Sequence, residues 1–209
     1  MTAAAAERAA TLMDWQTFMR EPAAYIDAAR LAVCLDNQFS AALCGRLQSA
    51  SRLRDRLSVL VATHCALAAP VEEDAVGELD RTIALSPVER LGDVVRRAGA
   101  IYWANAIANV LLAEEVSQLH AQLGEAVCAF ALVNRDLSGP AKVLEPVADA
   151  GARVTEAGER CFAAWCQSLS DAVAARVRLK LPPRRGVNGP PGIPFAEIGA
   201  SIVRRAAAN

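Results

Sequence analysis

The stretch IYWANAIANVLLAEEVSQLHAQLGEAVCAFALVNR, residues 101–135, carries the strongest fold signal in this 209-residue chain. Its apolar residues recur at intervals of three and four, which is helical spacing, and they cover more than one side of the helix. A helix that is apolar on several sides is typical of a protein core. Ser138-Gly139-Pro140 then provides a strong stop signal. The sequence therefore predicts a long central helix over residues 101–135, buried by several neighbouring helices.

The rest of the chain also favours helices. Hydrophobic residues make up 54% of it, many of them alanine, whereas aromatic residues make up 5%. Alanine favours helix formation and adds little bulk, so alanine-rich helices can pack closely. Helical spacing recurs in residues 7–19, 39–69 (one long helix or two short ones), 155–175 and 195–207. We expect an all-α protein, a single irregular multi-helix domain around the long central apolar helix.

Short local signals set the expected boundaries. Ser86-Pro87-Val88-Glu89 combines a capping residue, a proline suited to the first turn and a glutamate that can reach back, so a helix should begin there. Gly99 is expected to bend or end that helix. Proline and glycine are concentrated in residues 184–194. We expect a helical domain over residues 1–183, and a basic loop with a short C-terminal helix over residues 184–209 that packs on it.

Charge is unevenly distributed along the chain, although the net charge is only −1. Residues 1–175 hold 15 basic and 22 acidic residues, and five of the acids lie in a connector over residues 70–80 that should form a short helix or a loop. Residues 176–209 hold seven basic residues and one acid. Separated charge steers association and fixes orientation, so this polarity indicates a protein that binds a partner. The basic residues of the second part are Arg176, Arg178, Lys180, Arg184, Arg185, Arg204 and Arg205.

Residues suited to catalysis or to cofactor binding are few. His64 is adjacent to Cys65, and adjacent helical residues do not face each other as a nucleophile and its base must. His120 is expected at the rim of the core. Neither the P-loop pattern nor the glycine-rich dinucleotide-binding pattern occurs. We therefore expect no enzyme activity, no cofactor and no metal.

Other partner classes are disfavoured by composition. The six cysteines form no C-x-x-C pair and are expected to be reduced, buried thiols of a cytoplasmic protein. The longest uncharged stretch, residues 98–113, has 16 residues. A membrane span needs about 20, so no membrane insertion is expected. Few aromatic residues accompany the basic ones, which argues against nucleic acid. The expected partner is an acidic protein surface and not a small-molecule substrate.

Three groups of residues match a known family in their order along the chain. The first is Trp15-x-x-Phe18 followed by Pro22-x-x-Tyr25. The second is Leu85-Ser86-Pro87 ahead of a long apolar helix that contains Leu111-Leu112. The third is Gly158, Phe162-Ala163-Ala164-Trp165 and Arg176-x-Arg178-Leu179-Lys180-Leu181-Pro182. In these features the chain resembles SctK, the cytosolic sorting-platform adaptor of bacterial type III secretion systems, and within it the branch from plant-associated bacteria.

The resemblance implies a non-catalytic adaptor beneath the inner-membrane ring of the injectisome, in a virulence-associated protein transport system. Such proteins connect the cytoplasmic domain of a ring protein of the SctD type to a spoke protein of the SctQ type. The implied location is the cytoplasm, peripheral to the inner membrane through protein contacts. We expect two separate partner surfaces, and their residues are Arg176, Arg178, Lys180, Arg184 and Arg185 for one, and Trp15 and Tyr25 for the other.

Other interpretations of these residues and of the whole chain stay open. The aromatic residues could simply pack in the core, and the basic stretch could be a solvated tail. The chain could instead be a helical chaperone or regulatory module that binds a single peptide or helix in a groove. A helical enzyme would require His64 or His120 to face carboxylates in an open cleft.

Overall fold

The computed structural model describes residues 13–140, 143–183 and 185–208, and within these ranges the chain forms helices and no strand. The predicted all-α fold is confirmed. The α-helices are α1 (Trp15–Arg20), α2 (Ala28–Cys34), α3 (Ala41–Ser49), α4 (Arg54–His64), α5 (Glu78–Leu85), α6 (Val88–Tyr102), α7 (Ala104–Ala108), α8 (Ala113–Leu123), α9 (Glu125–Val133), α10 (Ala150–Gln167), α11 (Asp171–Leu179), α12 (Arg185–Asn188) and α13 (Phe195–Ala207). Short 3-10 helices lie at Pro22–Ala24, Ser51–Leu53, Glu73–Ala75, Arg135–Leu137 and Val147–Asp149.

The chain packs into two compact units, each made of two separate segments. Residues 1–90 and 169–183 form the first unit, and residues 91–168 and 184–209 form the second. Helix α11 therefore belongs with the N-terminal helices, although it follows α10 in the chain. The domain assignment made from the sequence, residues 1–183 plus a C-terminal segment, stays a prediction.

In the first unit, side chains just outside the helices set where they begin. Asp14, Asp27 and Ser40 are the N-caps of α1, α2 and α3, and each accepts a hydrogen bond from a backbone N–H of the first turn. These caps fix the first turns of helices that then pack against α4 and α11. The shared core consists of Ile26, Leu31, Ala32, Cys34, Cys44, Val61 and Leu179.

In the second unit, α10 is the core helix. Its residues 161–166 are all buried. Helix α13 packs closely along it at Gly199. The ring of Tyr102, at the end of α6, stacks on the ring of Phe195, at the start of α13, with 4.3 Å between their centroids. The buried helix of this unit thus lies later in the chain than the stretch that showed the strongest apolar pattern.

The predicted long helix over residues 101–135 is wrong, because this stretch contains the end of α6 and the separate helices α7, α8 and α9. At Gly124 the backbone adopts a φ of +83°, which glycine tolerates and other residues rarely do, and α8 and α9 bend by 100° there. The Ser138 hydroxyl accepts a hydrogen bond from the N–H of Asn105 and supports the start of α7. In the described part of the chain, no single helix has the length and apolarity to cross a membrane, and only the bent pair α8 and α9 meets those criteria together.

Gly99 does not end α6, which was one of the two outcomes expected from the sequence, because the helix continues through it to Tyr102. A Cβ atom added at Gly99 would overlap the carbonyl group of Val154. A Cβ atom added at Gly158 would in turn overlap the carbonyl group of Val95. The two glycines therefore let the backbones of α6 and α10 touch, which is the physical reason for glycine at both positions.

This crossing predicts that Gly99→Ala lowers the free energy of unfolding by at least about 2 kcal/mol, because the backbones must separate to admit the methyl group. Gly92 is a matched control in the same helix, since a Cβ there meets no atom within 4 Å. Gly92→Ala should raise the free energy by about 0.5–1 kcal/mol through helix propensity alone. Urea denaturation measures both, and equal effects of the two substitutions would refute the close crossing.

Candidate functional site

The structure brings together the residues that the sequence assigned to two separate surfaces. Trp15, Tyr25, Arg176 and Lys180 all lie in the first unit. Arg176 and Lys180 are one helical turn apart at the end of α11, and both contact the segment that begins with α1. The predicted basic surface and the predicted aromatic surface therefore meet in one buried cluster.

Arg176 is buried, with 3% of its surface exposed, and its guanidinium binds backbone carbonyls. Nε donates a hydrogen bond of 2.8 Å to the carbonyl of Met19, in the last turn of α1. Nη1 donates to the carbonyls of Ala68, at 3.1 Å, and of Ala172, at 2.8 Å. Because the carbonyls of a last helical turn lack partners within their own helix and carry partial negative charge, a cation is well suited to cap them.

Lys180 caps a second helix in the same way. Its Nζ donates hydrogen bonds to the carbonyls of Ala84, at 2.6 Å, and Ser86, at 2.9 Å, where α5 ends. The ammonium also lies 5.1 Å from the ring centroid of Phe18 and 5.5 Å from that of Tyr25, which are cation–π distances. The side chain is buried, and this burial lowers the pKa of Lys180 to about 8.

The two aromatic residues also serve the packing of this cluster. Trp15 is buried and its Nε1 donates a hydrogen bond of 2.9 Å to the carbonyl of Val71. The Tyr25 hydroxyl donates to the carbonyl of Phe18, at 2.7 Å. Burial raises the pKa of Tyr25, an effect that the nearby Arg176 cation opposes. Trp15 is therefore a core residue, whereas Tyr25 is only half-buried and keeps one side available.

The predicted basic partner surface needs correction at Arg176 and Lys180. Both side chains are buried and bound to carbonyls of their own chain, so each has only 3% of its surface left for a partner, that of Lys180 in the wall of the cleft described below. Arg178 lies between them in sequence and is half-buried, and its Nε is enclosed without an acceptor among the described residues. Arg184 and the side chain of Arg185 lie outside the described part of the chain.

The uneven charge along the sequence does not become a charge difference between the two units. The first unit contains 12 basic and 13 acidic residues, and the second contains 10 of each. The basic C-terminal stretch is divided, because α11 joins the acidic N-terminal segment while the residues after 183 join the second unit.

A cleft of about 520 Å³ opens beside the buried cluster in the first unit. Tyr25 and Lys180 form part of its wall, and Gln48, Val88 and Glu89 line it as well. Val88 is 42% exposed, and Glu89 at the rim is exposed too. This cleft is the part of the predicted aromatic surface that another molecule can reach, and we call it the Tyr25–Val88 cleft.

A second accessible surface, in the second unit, was not predicted from the sequence as a site. Leu111 and Leu112, between α7 and α8, are 85% and 65% exposed. Leu112 borders a cleft of about 580 Å³ that is also lined by the carboxylates Glu114, Glu115 and Glu145. We call this the Leu111–Leu112 surface. The signal in the sequence was the Leu-Leu pair itself, which the long-helix interpretation had assigned to the core.

The described residues contain no candidate metal site, and the two histidines lie apart from both clefts. His64 is exposed at the end of α4, and His120 is half-buried on α8. Neither lines the two clefts described above. In residues 13–140, 143–183 and 185–208, no group of three or more potential ligands from His, Cys, Asp and Glu could hold a metal ion. The six cysteines are free thiols.

The buried position of Lys180 predicts a pH dependence of stability. Its pKa is about 8 in the folded protein against 10.5 ordinarily, so the unfolded chain binds more protons between these values. The free energy of unfolding of the wild type, relative to Lys180→Met, should therefore rise with pH across this window, by up to about 1.4 kcal/mol per pH unit. Well below pH 8 this difference in the free energy of unfolding should be at its lowest and should no longer change with pH. Denaturation of both proteins across this range tests it, and a flat difference would contradict it.

The capping role of Arg176 predicts that lysine cannot replace it. Arg176→Lys removes the fork that reaches the carbonyls of Met19 and Ala68, and should lower the free energy of unfolding by about 3 kcal/mol. Arg56→Lys, at an exposed position of α4, is the matched control and should change it by less than about 0.5 kcal/mol. Urea titration gives both values, and similar losses at the two positions would rule out the special role of Arg176.

Comparison with known proteins identifies the family. A family model described as YOP proteins translocation protein K (YscK) matches residues 12–199. No curated protein and no solved structure matches the chain. The match extends over nearly the whole chain and includes both units, and it confirms the resemblance to SctK that the sequence motifs indicated. The chain therefore belongs to the YscK family of type III secretion proteins.

Proposed function

We propose that this protein is a non-catalytic adaptor of the cytosolic sorting platform, and that it links the inner-membrane ring protein of the SctD type to the spoke protein of the SctQ type. In this proposal it works in the cytoplasm and reaches the inner membrane through protein contacts alone. It contributes to secretion by holding two partners and by transforming no substrate.

The observation that carries the proposal is the pair of exposed leucines, Leu111 and Leu112, in a protein of a secretion-system family. Two adjacent large apolar side chains that point into water are costly for a protein that acts alone, and such patches commonly mark protein contacts. The neighbouring cleft gives a partner side chain a place to insert.

The charges around the Leu111–Leu112 surface indicate the partner that it suits. Glu114, Glu115 and Glu145 border the cleft, and none of the described residues that line it is basic. Glu114 and Glu115 also lie in the first turn of α8, where they complement the helix dipole. An occupant with apolar side chains flanked by basic ones matches both the leucines and the carboxylates.

The Tyr25–Val88 cleft supports a second contact. It combines the half-buried Tyr25 ring with the exposed Val88 side chain, and Glu89 at its rim is the accessible charge, since Lys180 is used internally. Aromatic and apolar groups in a concave site are typical of places where a partner side chain anchors. Of the basic residues expected to contact a partner, Arg178, Arg184 and Arg185 stay proposed contacts.

An adaptor with one contact surface on each unit predicts that the two partners can be lost independently. The double substitution Leu111→Asp/Leu112→Asp should weaken binding to one partner by about tenfold or more and leave binding to the other unchanged. The single substitution Val88→Asp should do the same for the other partner. Aspartate suits position 88, the first residue of α6, because it complements the helix dipole. Titration calorimetry with the purified ring-protein cytoplasmic domain and with the spoke protein measures all combinations.

Val59→Asp is the control for placing a charge on an exposed apolar residue. Val59 is 68% exposed on α4 and lines neither cleft, so both affinities should stay at the wild-type value. If the wild-type protein binds only one of the two partners, the adaptor proposal fails and the single-peptide chaperone is favoured. If both substitutions weaken the same partner, the two-surface assignment is wrong.

A further inference from the structure

Two cysteine thiols lie in contact in the first unit. The Sγ atoms of Cys34 and Cys65 are 3.8 Å apart, so that one S–H can donate to the other sulfur. Cys34 is the last residue of α2, and Cys65 directly follows α4. Both are free thiols, separated by 31 positions in the sequence.

The surroundings of the pair make the two thiols unequal. Cys34 is buried in the core of the first unit, with 7% of its surface exposed, whereas Cys65 packs at the edge of that core and is half-buried. Burial and the neighbouring Cys65 raise the pKa of Cys34 to about 12. The Arg30 guanidinium is close enough to interact electrostatically with both sulfurs. Cys65 is therefore the thiol that a reagent from solution meets first.

We propose that Cys34 and Cys65 form a reversible disulfide when the protein is exposed to a small disulfide oxidant such as oxidised glutathione. Nothing in the adaptor function requires this pair, so the assignment is independent of it. In a compartment kept reduced by glutathione, such a pair rests as two thiols and is oxidised only when the oxidant rises.

The exchange proceeds in two balanced steps. The Cys65 thiol first loses its proton to water, and the resulting thiolate attacks one sulfur of oxidised glutathione, forms a mixed disulfide and releases one glutathione thiolate. The Cys34 thiol then loses its proton to water, and its sulfur attacks the sulfur of Cys65 and releases the second glutathione thiolate. The two glutathione thiolates take up the two protons. The two protein thiols are oxidised by two electrons, and one glutathione disulfide is reduced to two thiols.

Both cysteines lie at the ends of helices, where the backbone can move enough for the two sulfurs to approach each other. A disulfide has a sulfur–sulfur distance of about 2.0 Å, so the gap of 3.8 Å must close by about 1.8 Å. Left-handed turns follow both residues, with φ of 55° at Asp36 and 56° at Asn37 after Cys34, and 47° at Ala66 after Cys65. Residues at helix ends take up a displacement of this size more readily than residues in a helix interior.

The bond would tie α2 to the segment that holds the buried cluster. This segment runs from Cys65 to Val71, and its carbonyls at Ala68 and Val71 accept the hydrogen bonds of Arg176 and Trp15. A covalent link at Cys65 restrains that segment in the folded protein and closes a loop in the unfolded chain. Oxidation is therefore expected to strengthen the packing of the first unit.

Peptide mapping can test the pairing without ambiguity. The full-length protein is incubated with a series of oxidised-to-reduced glutathione ratios, remaining thiols are alkylated, and the protein is cleaved before aspartate. This cleavage places Cys34 in the peptide of residues 27–35, Cys44 in 36–54 and Cys65 in 55–73. We expect a cross-linked species of peptides 27–35 and 55–73, lighter than their sum by two hydrogen atoms and separated by reductant.

Two variants provide the controls. Cys65→Ala should abolish the cross-linked species and leave Cys34 unmodified, because Cys34 is buried. Cys44→Ala removes a wholly buried thiol of the same core and should leave the cross-link unchanged. In the wild type, persistence of both free thiols, a stable glutathione adduct on Cys65, or a link to peptide 36–54 would each overturn the proposal.

Discussion

Buried cations that cap the carbonyl ends of helices are the interaction on which the first unit depends. Arg176 holds the last turn of α1, and Lys180 holds the end of α5. A buried carbonyl without a donor costs about 1–3 kcal/mol, and a buried charge without partners costs more. Because each cation satisfies carbonyls that would otherwise lack a donor, α11 can pack against helices whose acceptors precede these cations by 157 residues in α1 and 96 residues in α5. The Phe18 and Tyr25 rings complete the environment of the ammonium.

This arrangement changes how a charge run near a C-terminus should be interpreted. A run of basic residues ordinarily indicates a solvated or partner-binding surface, and that rule fails for Arg176 and Lys180. The overlooked signal is their spacing of four residues, which places both on one side of a helix, whereas Arg178 lies on another side. A charge reversal at either buried position would measure folding and not binding. Contacts with partners are better sought at exposed residues such as Val88 and Leu112.

The helical class and several helix boundaries could be predicted from the sequence, because local spacing and capping residues determine them. Val88 does begin a helix after Ser86-Pro87. Residues 39–69, for which one long helix or two short ones were expected, form the two helices α3 and α4 with a short 3-10 helix between them. The long helix over residues 101–135 failed for a physical reason. Short helices that bury different sides produce the same all-round apolar pattern as one buried helix. The close contact of Gly99 with Gly158 depends on a crossing in space that no local pattern encodes. The exposed leucines were hidden by the same long-helix assumption.

The reactivity of Lys180 tests most directly whether this cation is a buried cap. The chain contains two lysines, Lys142 and Lys180, so acylation by an amine-specific reagent can be assigned to each by mass spectrometry. The measurement compares the acylation rate at Lys180 in the native protein with the rate in denaturant at the same pH. We expect Lys180 to be strongly protected from acylation in the native protein and to react freely once the protein unfolds. Equal rates in the two states would show that Lys180 is a surface residue and not a buried helix cap.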